Sequence, residues 1–263
     1  MRSVRTACQT ITWGNDQSRN FPEIFSSVKT AGFQGVEIGW RHLQATNPEN
    51  LRKELSSCGL ELVASHIGGN LQDLNQAGKE KGMLSAVLEY LEKIGCSTLM
   101  YSGFNYGTDD GLEHLLKKDL ESLAKAADTC AARGVRLLYH NHNWEFAQDW
   151  RIMKAILSAP IPNLGFCPDI GWLAKAHVEV SGFLDKIRDR IGMVHFKDFS
   201  SFDEKMDAVE LGTGVADLGA AASWIKKNIK DGIWVAAEQD VSSIGPDKSA
   251  MINAKYLKNI FHK

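Results

Sequence analysis

No two cysteines of this sequence lie close together and none form a C-x-x-C pair. The five, Cys8, Cys58, Cys96, Cys130 and Cys167, are scattered over 263 residues. That argues against a disulfide framework or a cysteine-rich zinc site, and predicts reduced, mostly buried thiols in a cytosol-like compartment. No apolar run approaches the roughly 18 residues a membrane helix needs, and the opening MRSVRTACQTITWG lacks the continuous apolar core of a secretory signal. The expectation is a cytoplasmic protein with no membrane contact. An excess of one charge is missing too. The net charge of −2 gives no field to draw in DNA, RNA or anionic lipid, so no nucleic-acid partner is expected. Neither G-x-G-x-x-G nor G-x-x-x-x-G-K-[ST] follows a predicted strand, so nothing points to a phosphate cradle.

What the sequence has is a repeating order. Apolar residues make up 44% and charged residues 24%, an ordinary globular composition. Short runs of Val, Ile, Leu and small residues predict strands at 4–13, 35–40, 60–68, 96–103, 135–142, 164–172, 192–199 and 233–240. Such runs suit strands buried on both faces of a parallel sheet. Between them, helices are predicted at 21–31, 47–58, 79–94, 109–132, 149–157, 180–190, 218–228 and 248–261. Asn47 reads as an N-cap with Pro48 at the first helical position. Leu112, Leu116, Leu120, Leu123, Ala127 and Cys130 recur at steps of three and four, a stripe for packing on a sheet. Gly32, Gly59, Gly95 and Gly134 stand where helices should end in left-handed caps. Eight strands alternating with eight helices, undivided by any linker, specify a (β/α)₈ TIM barrel, with 1–263 as a single domain. A doubly wound open sheet is the runner-up.

In a barrel, chemistry gathers at the carboxyl ends of the strands. Those ends carry Glu37, His66, His140, His142, Glu145, Asp169, His195, Lys197, Glu238 and Asp240, and the strand beginnings carry no comparable cluster. Carboxylates and imidazoles converging on one point repel and desolvate badly unless a cation neutralises them. One divalent metal with mixed oxygen and nitrogen ligands meets that need, with Mn²⁺, Zn²⁺, Co²⁺ and Mg²⁺ in falling order of preference. His195 and Lys197 are two apart and share a strand face, so one can bind metal while the other steadies a developing oxyanion. Structural readings stand beside these. A lone strand-end histidine such as His66 or His177 can be a hydrogen-bonded structural group. Asp169 can cap a following turn, and Glu37 can anchor a loop. His42, His114 and His262 read as solvated surface. Trp13, Trp40, Trp144 and Trp172 fall near the rim, as core or as aromatic walls for a sugar ring.

The stretches YHNHNWEF, CPDIGW, VHFKDF, VELGTGVADL and WVAAEQD follow in order from strand five to the end, with FQGVEIGW and LVASHIGG before them. Through them the sequence resembles the sugar phosphate isomerase/epimerase superfamily with its xylose isomerase-like TIM barrel. The resemblance implies one divalent ion held by Glu145, Asp169, His195 and Glu238. The strand-five ligand stays open. Relatives carry Glu–Pro or Glu–Val where this chain has His140–Asn141, and Glu145 must fold back to reach the ion, leaving His140 and His142 as alternatives.

The implied chemistry is proton abstraction α to a carbonyl, giving a metal-stabilised enediolate. His142, Glu238 and Glu145 are the base candidates, and Lys197 is the oxyanion stabiliser. Glu37, His66, His140, Trp13 and Trp172 are the expected substrate contacts. The expected activity is isomerisation or epimerisation of a sugar or keto-sugar. The alternative is a lyase that dehydrates an inosose or keto-sugar, since the HNHNWEF form resembles a branch that includes inosose dehydratase-like proteins. The expected partner is thus a small sugar, keto-sugar or cyclitol, and a homo-oligomer is compatible with the sequence.

Overall fold

Eight strands pair side by side, each parallel to its neighbours: β1 (Val4–Gln9), β2 (Gly35–Gly39), β3 (Glu61–Gly68), β4 (Thr98–Ser102), β5 (Arg136–His140), β6 (Leu164–Cys167), β7 (Met193–Phe196) and, after a short antiparallel hairpin of β8 (Asp198–Phe199) and β9 (Ala208–Val209), β10 (Ile233–Ala237). The structure is a computed structural model that describes residues 4–68, 77–103, 105–106, 112–203, 205, 207–229 and 232–261. The sheet runs β6-β5-β4-β3-β2-β1-β10-β7. Its two end strands meet through isolated parallel bridges, Phe166 with Ile191 and Asp169 with His195. A TIM barrel results, closed everywhere by full ladders except at the β6–β7 joint. β6 and β7 are buried along their whole length, as a parallel strand covered on both faces must be.

Eight long helices follow the predicted positions: α1 (Phe21–Ala31), α3 (Pro48–Ser57), α4 (Ala77–Ile94), α5 (Leu112–Ala132), α6 (Ala147–Ser158), α8 (Val180–Ile187), α9 (Leu218–Asn228) and α10 (Pro246–Phe261). Asn47 caps α3 as expected, its side chain accepting from Glu49 N and Asn50 N at 3.0 Å each. On α5, Leu116, Leu123, Ala127 and Cys130 are buried against the sheet and Leu120 is half-buried. Gly32 closes α1 with φ 103°, a left-handed cap open to glycine without strain.

Two short helices were not foreseen, α2 (Trp40–Leu43) and α7 (Ile170–Lys175), each directly after a rim strand. Gly171 is what lets α7 lie on β7, because a Cβ there would stand 2.7 Å from Lys197 O. The LGTG turn at 211–214 is structural. Asp198 accepts from Phe199 N, Gly212 N, Gly214 N and Ala216 N at 2.9–3.0 Å, tying the turn to the hairpin. His42 corrects an expectation. It is buried rather than solvated, and accepts a hydrogen bond from Arg41 Nε at 2.9 Å. His114 and His177 are exposed, and His262 lies outside the described residues. Among the described residues no helix is long and apolar enough to cross a membrane.

Candidate metal centre

A set of buried strand residues fills the barrel interior: Ala7, Ala64, Met100, Leu138, Cys167, Met193 and Ala236, with Val63. Because side chains alternate along a strand, the residue two positions further on points the same way, one layer nearer the rim. That next layer is polar throughout: Gln9, His66, Ser102, His140, Asp169, His195 and Glu238. The site is therefore the uppermost layer of the barrel interior, where an apolar filling gives way to ionisable groups.

Four of these, His140, Asp169, His195 and Glu238, are buried, and one ligand atom from each lies within 4.8 Å of all the others. His140 Nε2 is 3.3 Å from Asp169 Oδ2 and 3.3 Å from Glu238 Oε2, yet neither His140 Nε2 nor Asp169 Oδ2 makes a hydrogen bond. Ligand atoms about 2.0–2.1 Å from a tetrahedral metal stand about 3.3 Å apart, so this spacing is that of neighbours around a shared ion. The donor set fits a divalent metal. Asp169 is divided between two tasks. Its Oδ1 caps α7 by accepting from Trp172 N at 2.9 Å, which leaves Oδ2 for the centre. Asn141 holds its backbone, with Oδ1 accepting from Asp169 N at 3.0 Å.

His195 lies between two carboxylates, Nδ1 2.5 Å from Glu238 Oε2 and Nε2 2.7 Å from Glu37 Oε2. Burial opposes the charged imidazole, but Cys167, Glu37 and Glu238 hold it well above the ordinary histidine value. Burial likewise opposes charge on His140, and the carboxylates of Asp169 and Glu238 raise it nonetheless. Burial would raise Glu238, but Lys197 and His195 carry it well below the usual carboxylate range. Lys197 is ion-paired to Glu238 Oε1 at 3.1 Å and to Asp240 Oδ2 at 2.9 Å. Burial works against its charge, and these carboxylates raise it above the ordinary lysine value.

A cavity of about 510 Å³ opens at this layer, lined by Gln9, His66, Ser102, His142, Glu238 and Asp240 together with Trp40 and Arg41 among others. The His142 ring stacks on Trp144, centroids 4.0 Å apart at 11°, and stands 5.2 Å from the Trp172 ring. Burial first, then His140 and Lys197, push His142 far below the ordinary histidine value. His66 is pushed down to about 3, by burial and then by His140, and its Nε2 lies 2.9 Å from Ser102 Oγ.

Several expected site residues stand elsewhere. Glu145, expected as ligand and base, is not in the cluster. Its Oε1 meets Tyr139 Oη at 2.9 Å and its Oε2 accepts from His142 N at 2.8 Å. The single turn Trp144–Phe146 folds it back against β5, away from the centre. His140, the last residue of β5, brings its Nε2 into the cluster instead. Glu37, expected against substrate, is fully buried behind His195. Trp13 does not line the cavity, and its Nε1 donates to Asp247 Oδ1 at 3.1 Å. Trp172 is also off the lining, packed beneath Lys197 with its ring centroid 5.1 Å from Nζ. Gln9, Ser102 and Asn141 went unnoticed in the sequence.

Fold and site together are those of a TIM barrel whose rim carries a cluster able to hold a metal, and the chain belongs to the xylose isomerase-like TIM barrel family, whose pattern it matches over residues 25–260. It is 23% identical to the inosose dehydratase of Geobacillus kaustophilus (strain HTA426) over an alignment of 293 positions, gaps included, that covers 96% of this chain and 93% of that one. Among solved structures, the IOLI protein with a bound zinc atom superposes with a TM-score of 0.79 at 14% identity, covering 98% of each chain. The 3-keto-D-glucoside 4-epimerase YcjR of E. coli superposes with a TM-score of 0.75 at 17% identity, covering 98% of this chain and all of that one.

Proposed function

We propose that the protein is a metal-dependent lyase that dehydrates an inosose or a related keto-sugar. The observation that carries this reading is the unbonded pair His140 Nε2 and Asp169 Oδ2, 3.3 Å apart in a buried four-residue cluster beside a polar cavity. His140, Asp169, His195 and Glu238 would hold the ion, which when bound supplies a Lewis acid for a carbonyl and an adjacent hydroxyl. His142, on the cavity wall and fixed by its stack on Trp144, takes the proton α to the carbonyl. Lys197, kept cationic by Glu238 and Asp240, steadies the negative charge that develops on oxygen. The proton His142 has taken then passes to the departing hydroxyl, which leaves as water, while His66, bonded to Ser102 at the cavity, stays neutral and contacts the substrate.

Isomerisation or epimerisation, the first expectation from the sequence, uses the same residues up to proton removal, and the likeness of fold to YcjR keeps it as the second reading. Relatives named for dehydration, matched along almost the whole chain, rank it second.

The test is to incubate the metal-loaded protein with an inosose and with a 3-keto-glucoside, following product mass and ultraviolet absorbance. Loss of one water and a new enone band support the lyase. An altered stereocentre at unchanged mass moves the assignment to epimerase, and no conversion of either overturns both. His142→Asn should abolish turnover while leaving the fold and the bound metal intact.

A further inference from the structure

At the other end of the barrel, where the strands begin, a second cavity of about 360 Å³ is lined by Arg136, Gly165, Asp189 and Arg190 among others. Arg136 opens β5, and Arg190 closes the turn Arg188–Arg190 that leads into β7. The two guanidiniums bond only to neutral main chain there: Arg136 Nη2 donates to Arg190 O at 3.0 Å, and Arg190 Nε to Leu164 O at 3.2 Å. Among the described residues neither has a carboxylate oxygen within 4.0 Å, although Asp189 shares the cavity. Arg190 Nη2 is shut off from solvent with no hydrogen-bond partner, and its guanidinium lies over the Phe166 ring at 4.6 Å. Gly165 and Gly192 leave room for Arg136 to lie across them, since an added Cβ would stand 3.0 Å from its Nε and 2.9 Å from its Nη1 respectively.

Two like charges line one recess, Arg136 exposed and Arg190 half-buried with one occluded N–H lacking an acceptor, an arrangement that a bound anion would stabilise. Burial draws both guanidiniums below the ordinary arginine value, the direction expected of positive charge without a partner. A guanidinium presents its donors in a planar fork that matches the oxygens of phosphate. We propose that this recess is an anion site that takes a phosphate group, held jointly by Arg136 and Arg190. It depends on neither the metal nor the reaction proposed for the rim. Arg190 Nε holds the Leu164 carbonyl at the foot of the β6–β7 joint, and Asp169 and His195 stand at the top of the same joint. A bound phosphate would therefore tighten the joint from below.

The experiment uses the whole chain stripped of metal and kept in chelator, so that no ion at the rim can capture phosphate. Inorganic phosphate, glycerol 3-phosphate and acetate are titrated at matched ionic strength, reading binding by calorimetry and the thermal midpoint. One phosphate group per chain is expected, with acetate much weaker and affinity at least about tenfold lower in Arg190→Met and in Arg136→Met. Tighter binding of glycerol 3-phosphate than of inorganic phosphate identifies a phosphorylated metabolite as the occupant, and the reverse identifies the free ion. A flat wild-type isotherm to tens of millimolar overturns the proposal whether or not a variant folds. So does a midpoint rise of equal size in wild type and variants, because phosphate stabilises proteins in general by exclusion from their surfaces.

Discussion

Nε2 of His195 lies 2.7 Å from Oε2 of Glu37, and both side chains are fully buried. A carboxylate on the far nitrogen of an imidazole fixes the ring's tautomer and aim and makes the near nitrogen a better donor to metal. Glu37→Gln is therefore expected to weaken metal binding about tenfold or more, measured by competition with a chromogenic chelator, with an unchanged far-ultraviolet circular dichroism spectrum. Unaltered affinity would remove Glu37 from the centre.

Asp169→Asn separates two tasks that one side chain combines. Asn keeps an oxygen for Trp172 N and so keeps the cap of α7, but it takes a formal charge from the cluster. Bound metal, assayed by mass spectrometry after dialysis, should fall to a small fraction of wild type, while the metal-free melting temperature holds or rises. In the wild type, metal at about a thousandfold excess over its dissociation constant should add about 4 kcal/mol of stability, and chelation should remove it.

Burial raises Glu145 to about 7 against the pull of its hydrogen bonds from His142 N and Tyr139. A protonated Oε1 can donate to Tyr139 Oη, which then donates on to Gly103 O at 3.2 Å, so the neutral carboxyl completes the chain of hydrogen bonds. The folded pKa lies above the unfolded one, so this contribution is whole below about pH 4.3 and is lost as pH rises through 7. Between pH 5 and pH 8 the wild type should lose up to about 3 kcal/mol more than Glu145→Gln, read from urea midpoints at each pH. Parallel curves would count against a neutral Glu145.

Gln148, Asp149 and Trp150 hold φ of 50°, 58° and 64° at the start of α6. A left-handed backbone costs about 1–2 kcal/mol per residue away from glycine. After the entropy glycine adds to the unfolded chain, Gln148→Gly should stabilise by about 0.5–1 kcal/mol in urea, and Gln148→Ala should not.

The barrel was legible because buried parallel strands and covering helices leave opposite signatures, continuous apolar runs against a three-and-four stripe. The rim was legible because ionisable residues end those runs. The strand-five member of the cluster was also within reach. Leu138 fills the interior, and a period of two from Leu138 leads to His140; the same step from Met100 leads to Ser102 and from Ala7 to Gln9. The likeness to relatives drew attention to Glu145 instead, whose position depends on a loop turn with no periodicity. Glu37 was visible as a rim carboxylate, but its place behind His195 is set by how β2 and β7 face each other across the barrel. His42 carries no local sign of burial; α2 and the loops around it enclose it.

Only two bridges join β6 to β7, and the upper one is formed by Asp169 and His195 themselves. An ion gripped by both side chains would act as a rivet through the weakest stave of the cask. Its loss would leave the walls standing with one plank loosened, and amide exchange along that plank should then quicken before it does anywhere else in the ring.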